Sequence, residues 1–251
     1  MRLNILRFIT FILLIFTRRI KTKHSVFLLN QFFIGKNCNI ELNNAYISHL
    51  NIHIEGKHNK LIMRGGYYLR GEIKIYGEGN TIEIGENGYL SNLRIVVRGH
   101  NCRVTIGNTV TSGGGFIACM GKNNYVSIGD DCMLAEHIDI WATDSHGIYH
   151  INEGTLLNTS APIILGKHVW IGKWASVLKG VTIGDGAIIG MKAVVTKDIP
   201  PHSINVGFPT QTRQGRESRL SGGRYLRWYN HFGRCGHYAE RVFERVREFF
   251  N

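Results

Sequence analysis

From Leu165 onward the sequence divides into sixes: LGKHVW, IGKWAS, VLKGVT, IGDGAI, IGMKAV, VTKDIP. The first position is always aliphatic (Leu165, Ile171, Val177, Ile183, Ile189, Val195), and the fifth is Val169, Ala175, Val181, Ala187, Ala193 or Ile199. An α-helix would place its apolar residues at a drifting period of about 3.6, and an ordinary half-buried strand would simply alternate. A strict period of six, with glycine after the aliphatic residue in most units, describes a short strand and a turn. Stacked three to a coil, such units set each aliphatic residue over its equivalent one coil away.

The same device recurs upstream in longer coils. Ile84-Gly85, Ile106-Gly107 and Ile128-Gly129 are spaced 22 residues apart, and each isoleucine follows a glycine seven residues earlier: Gly77, Gly99 and Gly121. Against a coil of three sixes, this length implies extra residues at one corner of every turn. Asn80, Asn101, Asn123 and Asn124 suit corners that need a left-handed backbone. A looser version, with Ile34-Gly35 and with Gly56 and Asn59, begins near Phe33.

Composition excludes several classes. With 251 residues and 43% hydrophobic content, the chain can bury a real core. Its five cysteines are odd in number, widely spaced and without a CxxC pair, so neither a disulfide framework nor a metal site is indicated, and a reducing, cytoplasmic setting is expected. The net charge of +12 sits at the ends: +6 in residues 1–23 and +5 in residues 213–251, leaving +1 between them. A near-neutral body without a recognisable nucleic-acid-binding motif does not read as a nucleic-acid partner.

Three segments are expected: a basic, apolar helix over residues 1–32, a β-helix over 33–213, and a basic amphipathic helical extension over 214–251. The apolar run from Phe8 to Phe16 is too short to span a bilayer comfortably and is followed by Thr17-Arg18-Arg19 rather than a small-residue cleavage site. It fits a peripheral contact on the inner membrane or packing against protein. Tyr238, Val242, Val246, Phe249 and Phe250 fall at helical spacing near the other end.

The segment WATDSHGIYH, Trp141 to His150, interrupts the repeat with a concentration of polar chemistry. Together with PIILGKHVWIG and GVTIGDGAIIG, followed by AVVTKDIPPHS and VGFP, it resembles the left-handed parallel β-helix acyltransferases, in particular the bacterial O-acetyltransferases of sugars and surface polysaccharides. The resemblance is close over residues 128–213 and rests on the repeat alone over 33–127. It implies an all-β, left-handed parallel β-helix of hexapeptide repeats, usually a homotrimer, that uses acetyl-CoA as acetyl donor and needs no metal. The handedness is implied by the resemblance alone, because it runs against the usual crossover preference.

The resemblance places the general base at His146. Chemistry agrees, since a sugar hydroxyl needs a base that titrates near neutrality, and imidazole is suited to it. Asp144 either orients that ring or serves a local turn. Ser145 is not a nucleophile, because it lacks the GxSxG setting and neighbours on an extended chain point apart. Trp141 is the candidate acceptor contact. On the donor side Trp170 lines the groove or covers a prism corner, Lys173 and Met191 stand where relatives have smaller residues near the pantetheine, and Thr196 and Lys197 match the pair near adenine and phosphates. Gln211 replaces a customary base, so Lys192 or Arg213 would substitute. The expected reaction is acetyl transfer to a hydroxyl of a capsule, O-antigen or other glycan. The alternatives are transfer to an amino-sugar nitrogen and a non-catalytic β-helix assembly protein.

Overall fold

A computed structural model describes residues 19–213; the apolar run at Phe8 to Phe16, the amphipathic segment after residue 213 and the side chain of Arg213 lie outside the described residues. The described chain winds into a parallel β-solenoid of about eight turns, a left-handed β-helix. Three sheets of eight, ten and eight strands form its faces, and successive strands of one face come from successive coils. The first face runs from Ile20–Lys23 to Thr182–Ile183, the second from Val26–Leu28 to Gln211–Arg213, and the third from Gln31–Ile34 to Val194–Val195. The last pair on the second face, Ile204–Val206 with Gln211–Arg213, is antiparallel and ends the coil.

The period of six does what its spacing requires. Leu165 pairs with Ile183, Ile171 with Ile189 and Val177 with Val195, one coil apart. All twelve first- and fifth-position residues point inward and are buried. Each larger aliphatic side chain removed from water contributes about 1.5–3 kcal/mol, and the stacked register repeats that gain in every coil. Backbone donors and acceptors pair with the coils above and below, so the short strands leave few polar groups unmet.

The 22-residue coils are longer because the third-face strands run on through the corner. Glu72–Glu78, Leu93–His100 and Gly115–Lys122 are seven or eight residues long, and Gly56, Gly77, Gly99 and Gly121 stack in register there. Gly99 has φ +128°, and a Cβ on it would lie 1.9 Å from the Gly121 carbonyl oxygen. No side chain fits that column.

The asparagines divide into two roles. Asn101 and Asn123 adopt the expected left-handed backbone, at φ 52° and 53°. Asn80 and Asn124 do not; they are buried, and their amides bond carbonyls across the corner. Asn80 Nδ2 donates to the Gly99 and Tyr76 carbonyls while its Oδ1 accepts from Cys102 N, and Asn59 repeats the arrangement one coil earlier. Gly56 and Asn59 thus hold the inferred register, whereas Ile34-Gly35 sits on the third face rather than the first.

The N-terminal boundary also differs from expectation. Ile20–Lys23 already pairs with Asn39–Asn43, and Val26–Leu28 and Gln31–Ile34 complete a first coil. Residues 20–32 are therefore strand and turn rather than part of a helix ending at 32. Ile20 is buried in the same core as Ile40, and a coil already present downstream offers its open edge as a template for the degenerate segment.

Candidate active site

After the third-face strand Ile138–Trp141 the chain leaves the solenoid, and it returns to the first face at Ile163–Leu165. The excursion, residues 142–162, is a small hairpin held by an antiparallel bridge between Tyr149 and Leu156 and by the bond from Leu157 N to the Ile148 carbonyl. Its base carries Asp144, Ser145 and His146. Ser145 is left-handed at φ 63°, and the turn is closed by His146 N donating to the Asp144 carbonyl at 2.8 Å.

Two residues absent from the sequence reading hold this turn. Asn158 Nδ2 donates to Asp144 Oδ2 and to the His146 carbonyl, both at 2.8 Å, while its Oδ1 accepts from Ile148 N at 2.6 Å. Lys179, just past the third-face strand Ser176–Leu178 of the next coil, donates through Nζ to Asp144 Oδ2 at 2.6 Å and to the Thr159 carbonyl at 3.0 Å. The Lys179 contact, with a smaller part from Asn158, holds the Asp144 carboxyl below the usual carboxylate range. Asp144 is therefore the anchor of the turn. Its carboxylate bonds Lys179 and Asn158 rather than the His146 ring, which makes no hydrogen bond among the described residues and stands exposed at the edge between the third and first faces.

Trp141 ends the third-face strand with its ring outward, packed edge-on against Phe116 at 4.9 Å. Thr196 and Lys197 follow Val194–Val195 on the last coil, exposed at the same edge as His146. The remaining donor candidates lie elsewhere. Trp170 points out from the second face, and Lys173, Met191 and Lys192 occupy the edge between the second and third faces. Lys173 is tied to Glu136 at 2.6 Å, a bond that lowers the Glu136 pKa. Trp174, left-handed at φ 64°, stacks on His137 at 4.1 Å. Lys192 and Lys197 have no carboxylate partner among the described residues. Within one chain the structure thus gathers His146, Asp144, Trp141, Thr196 and Lys197 at one edge and separates Trp170, Lys173, Met191 and Lys192 from them.

The family described as bacterial transferase hexapeptide (six repeats) matches residues 162–197. That segment has the repeat of the family, and the described chain has the fold of the left-handed β-helix class. Within that class it is similar to the polysialic acid O-acetyltransferase of Escherichia coli O1:K1, at 34% identity over 116 residues, covering 46% of this chain and 38% of the relative. It is 39% identical over 84 residues to the galactoside O-acetyltransferase of Escherichia coli K12, covering 34% and 41%. Among solved structures it resembles the polySia-specific acetyltransferase NeuO, with a TM-score of 0.59 and 25% identity over 88% of this chain and 91% of that one. The curated relatives are matched over only about a third to two fifths of their own lengths.

Proposed function

We propose that this protein transfers an acetyl group from acetyl-CoA to a hydroxyl of a bacterial surface glycan, with His146 as general base. The observation that carries the reading is an exposed imidazole, free of intramolecular bonds, on a turn fixed from two sides by Asn158 and Lys179. A base must be held in place while its ring nitrogen stays available to the acceptor's proton. Holding the main chain and leaving the ring unbonded does both. The names of the matched relatives, acetyltransferases of polysialic acid and galactosides, support a sugar hydroxyl over an amine.

The thioester would supply the activated acetyl group. The chain's part is to seat it, to accept the hydroxyl proton at the imidazole and to position the acceptor near Trp141. Lys192 and Lys197 suit the donor's phosphates, being exposed cations without an internal carboxylate, and Lys173 is the weaker candidate because Glu136 already engages it. These groups lie on two different edges of the prism. A site that uses both sets is completed by a second copy, which favours an oligomer, in keeping with the homotrimer that the resemblance implies. A cytoplasmic enzyme resting on the inner membrane through residues 1–18 fits the basic, apolar segment.

The test is acetyl release from acetyl-CoA in the presence of sugar acceptors. His146→Ala should lower transfer by about 10²- to 10⁴-fold while thermal unfolding is unchanged. A folded variant with undiminished transfer would remove His146 from the mechanism.

A further inference from the structure

The outer side of the third face carries side chains that the candidate active site does not use. In the strands Leu93–His100 and Gly115–Lys122 the cations are Arg94, Arg98 and Lys122, and there is no carboxylate; on the next strand Asp139 points outward in register with Phe116. The Arg94 guanidinium lies 5.2 Å from the centre of the Phe116 ring, and that of Arg98 lies 5.5 Å from the centre of Tyr76. Arg94 is bonded to Glu72 at 2.7 Å, and Glu72 also takes Lys74. Arg98 and Lys122 meet no carboxylate among the described residues.

Between these columns Val96 and Ala118 point outward by the alternation of their strands. They stand outside the central core cluster, yet they are only 5% and 0% exposed. Their burial makes the strip a close-packed surface around the exposed Arg94 and Arg98. It runs toward the candidate base. Arg98 is in register with Met120 on the next coil, and Met120 Sδ lies 4.0 Å from Ser145 Oγ, beside His146. Arg98 thus stands roughly 10 Å, or two coil spacings, from the turn that bears the base. A short oligosaccharide covers that distance.

We propose that this strip, from Tyr76 and Arg98 through Phe116 and Met120 to Trp141, is a track for an acidic glycan acceptor, with an acceptor carboxylate on Arg98 and the reacting hydroxyl at His146. The proposal rests on the acetyl-transfer reading for its second half and, for its first, on the exposed Arg98 guanidinium, which has no carboxylate partner among the described residues. A guanidinium held against an aromatic ring keeps its fork of donors outward, and a carboxylate is the group that matches the fork. A second copy packed over the strip would have to bring a carboxylate for Arg98, because the strip's own carboxylates, Glu72 and Asp139, make no ion pair with it among the described residues. A nucleic acid would need ring faces free for stacking, and here guanidiniums cap Tyr76 and Phe116.

The experiment measures binding of the full chain to an array of acidic and neutral capsular oligosaccharides of graded length, beside a DNA oligomer of matched charge. Acidic oligosaccharides longer than a disaccharide should be preferred. Arg98→Ala should weaken them about two- to fivefold, and Lys60→Ala, a first-face cation paired with Glu41, should not. Equal binding of neutral and acidic glycans, no binding, an unchanged Arg98→Ala protein, or equal Arg98-dependent binding of the DNA would each overturn the track. So would a change in oligomeric mass on Arg98→Glu, which would make the strip a contact between copies. Because the readout is binding, acidic glycans held through Arg98 without any acetyl transfer would count against the proposed reaction and leave the track. Transfer that ignores Arg98 would do the reverse.

Discussion

Replacing Asp144 with Asn separates two roles that a carboxylate two residues from a candidate base can have. If Asp144 were the acid partner of the imidazole, losing its charge would lower turnover by about 10⁴-fold, the scale of such a change in a catalytic triad. The structure gives it other partners, Lys179 at 2.6 Å and Asn158 at 2.8 Å. The Lys179 and Asp144 side chains are 23% and 43% exposed, so solvent screens the pair and about 0.5–1 kcal/mol is at stake. Spent on holding the turn, that corresponds to about a two- to fivefold fall in kcat/KM. Lys179→Met should give a similar fall, and the double variant should add little, since both substitutions break one interaction. The sign with pH follows from the depressed Asp144 pKa. The anchor is fully present above the ordinary carboxylate range and is lost as pH falls through the depressed value, so it contributes nothing to the pH profile between about 6 and 8. Steady-state kinetics of the three variants from pH 6 to 8 would measure this. A fall of 10³-fold or more in Asp144→Asn, with Lys179→Met near the parent, would refute the anchoring role and return Asp144 to the imidazole.

Three other outcomes are expected. Gly99→Ala forces a Cβ to within 1.9 Å of the Gly121 carbonyl oxygen at a left-handed φ, and urea denaturation should show a loss of about 3 kcal/mol or more; a loss below about 1 kcal/mol would mean that the corner can spread. Lys197→Ala should raise KM for acetyl-CoA more than it lowers kcat, as expected for a remote phosphate contact, and a dephospho donor should remove the difference if the contact is to the 3′-phosphate. Deleting residues 1–18, which stops short of the strand Ile20–Lys23, should release the protein from anionic vesicles in a flotation assay while leaving transfer to soluble acceptors intact; equal flotation of both proteins would assign that segment to packing.

The sequence alone determined the coil. A period of six fixes which residues point inward, and ladder pairing places identical positions one over another, so the buried column and the glycine corner could be read from spacing. It also marked the segment from Trp141 to His150, where polar chemistry interrupts the repeat, and the resemblance singled out His146 within it. What the tertiary structure decided was whatever depends on contacts between coils or on the geometry of a corner. Lys179 meets Asp144 across 35 residues, and Asn158 closes a turn from the far side of a hairpin; no local period encodes either pairing. Residues 20–32 became strand because a neighbouring coil offers them an edge, although their own pattern is weak. Trp170 falls on the second face and His146 at the edge between the third and the first, because only the closed prism assigns faces to strands. The Arg98 strip exists for the same reason, since stacking sets side chains about 22 residues apart next to one another, and their charges act together only after the coil has closed.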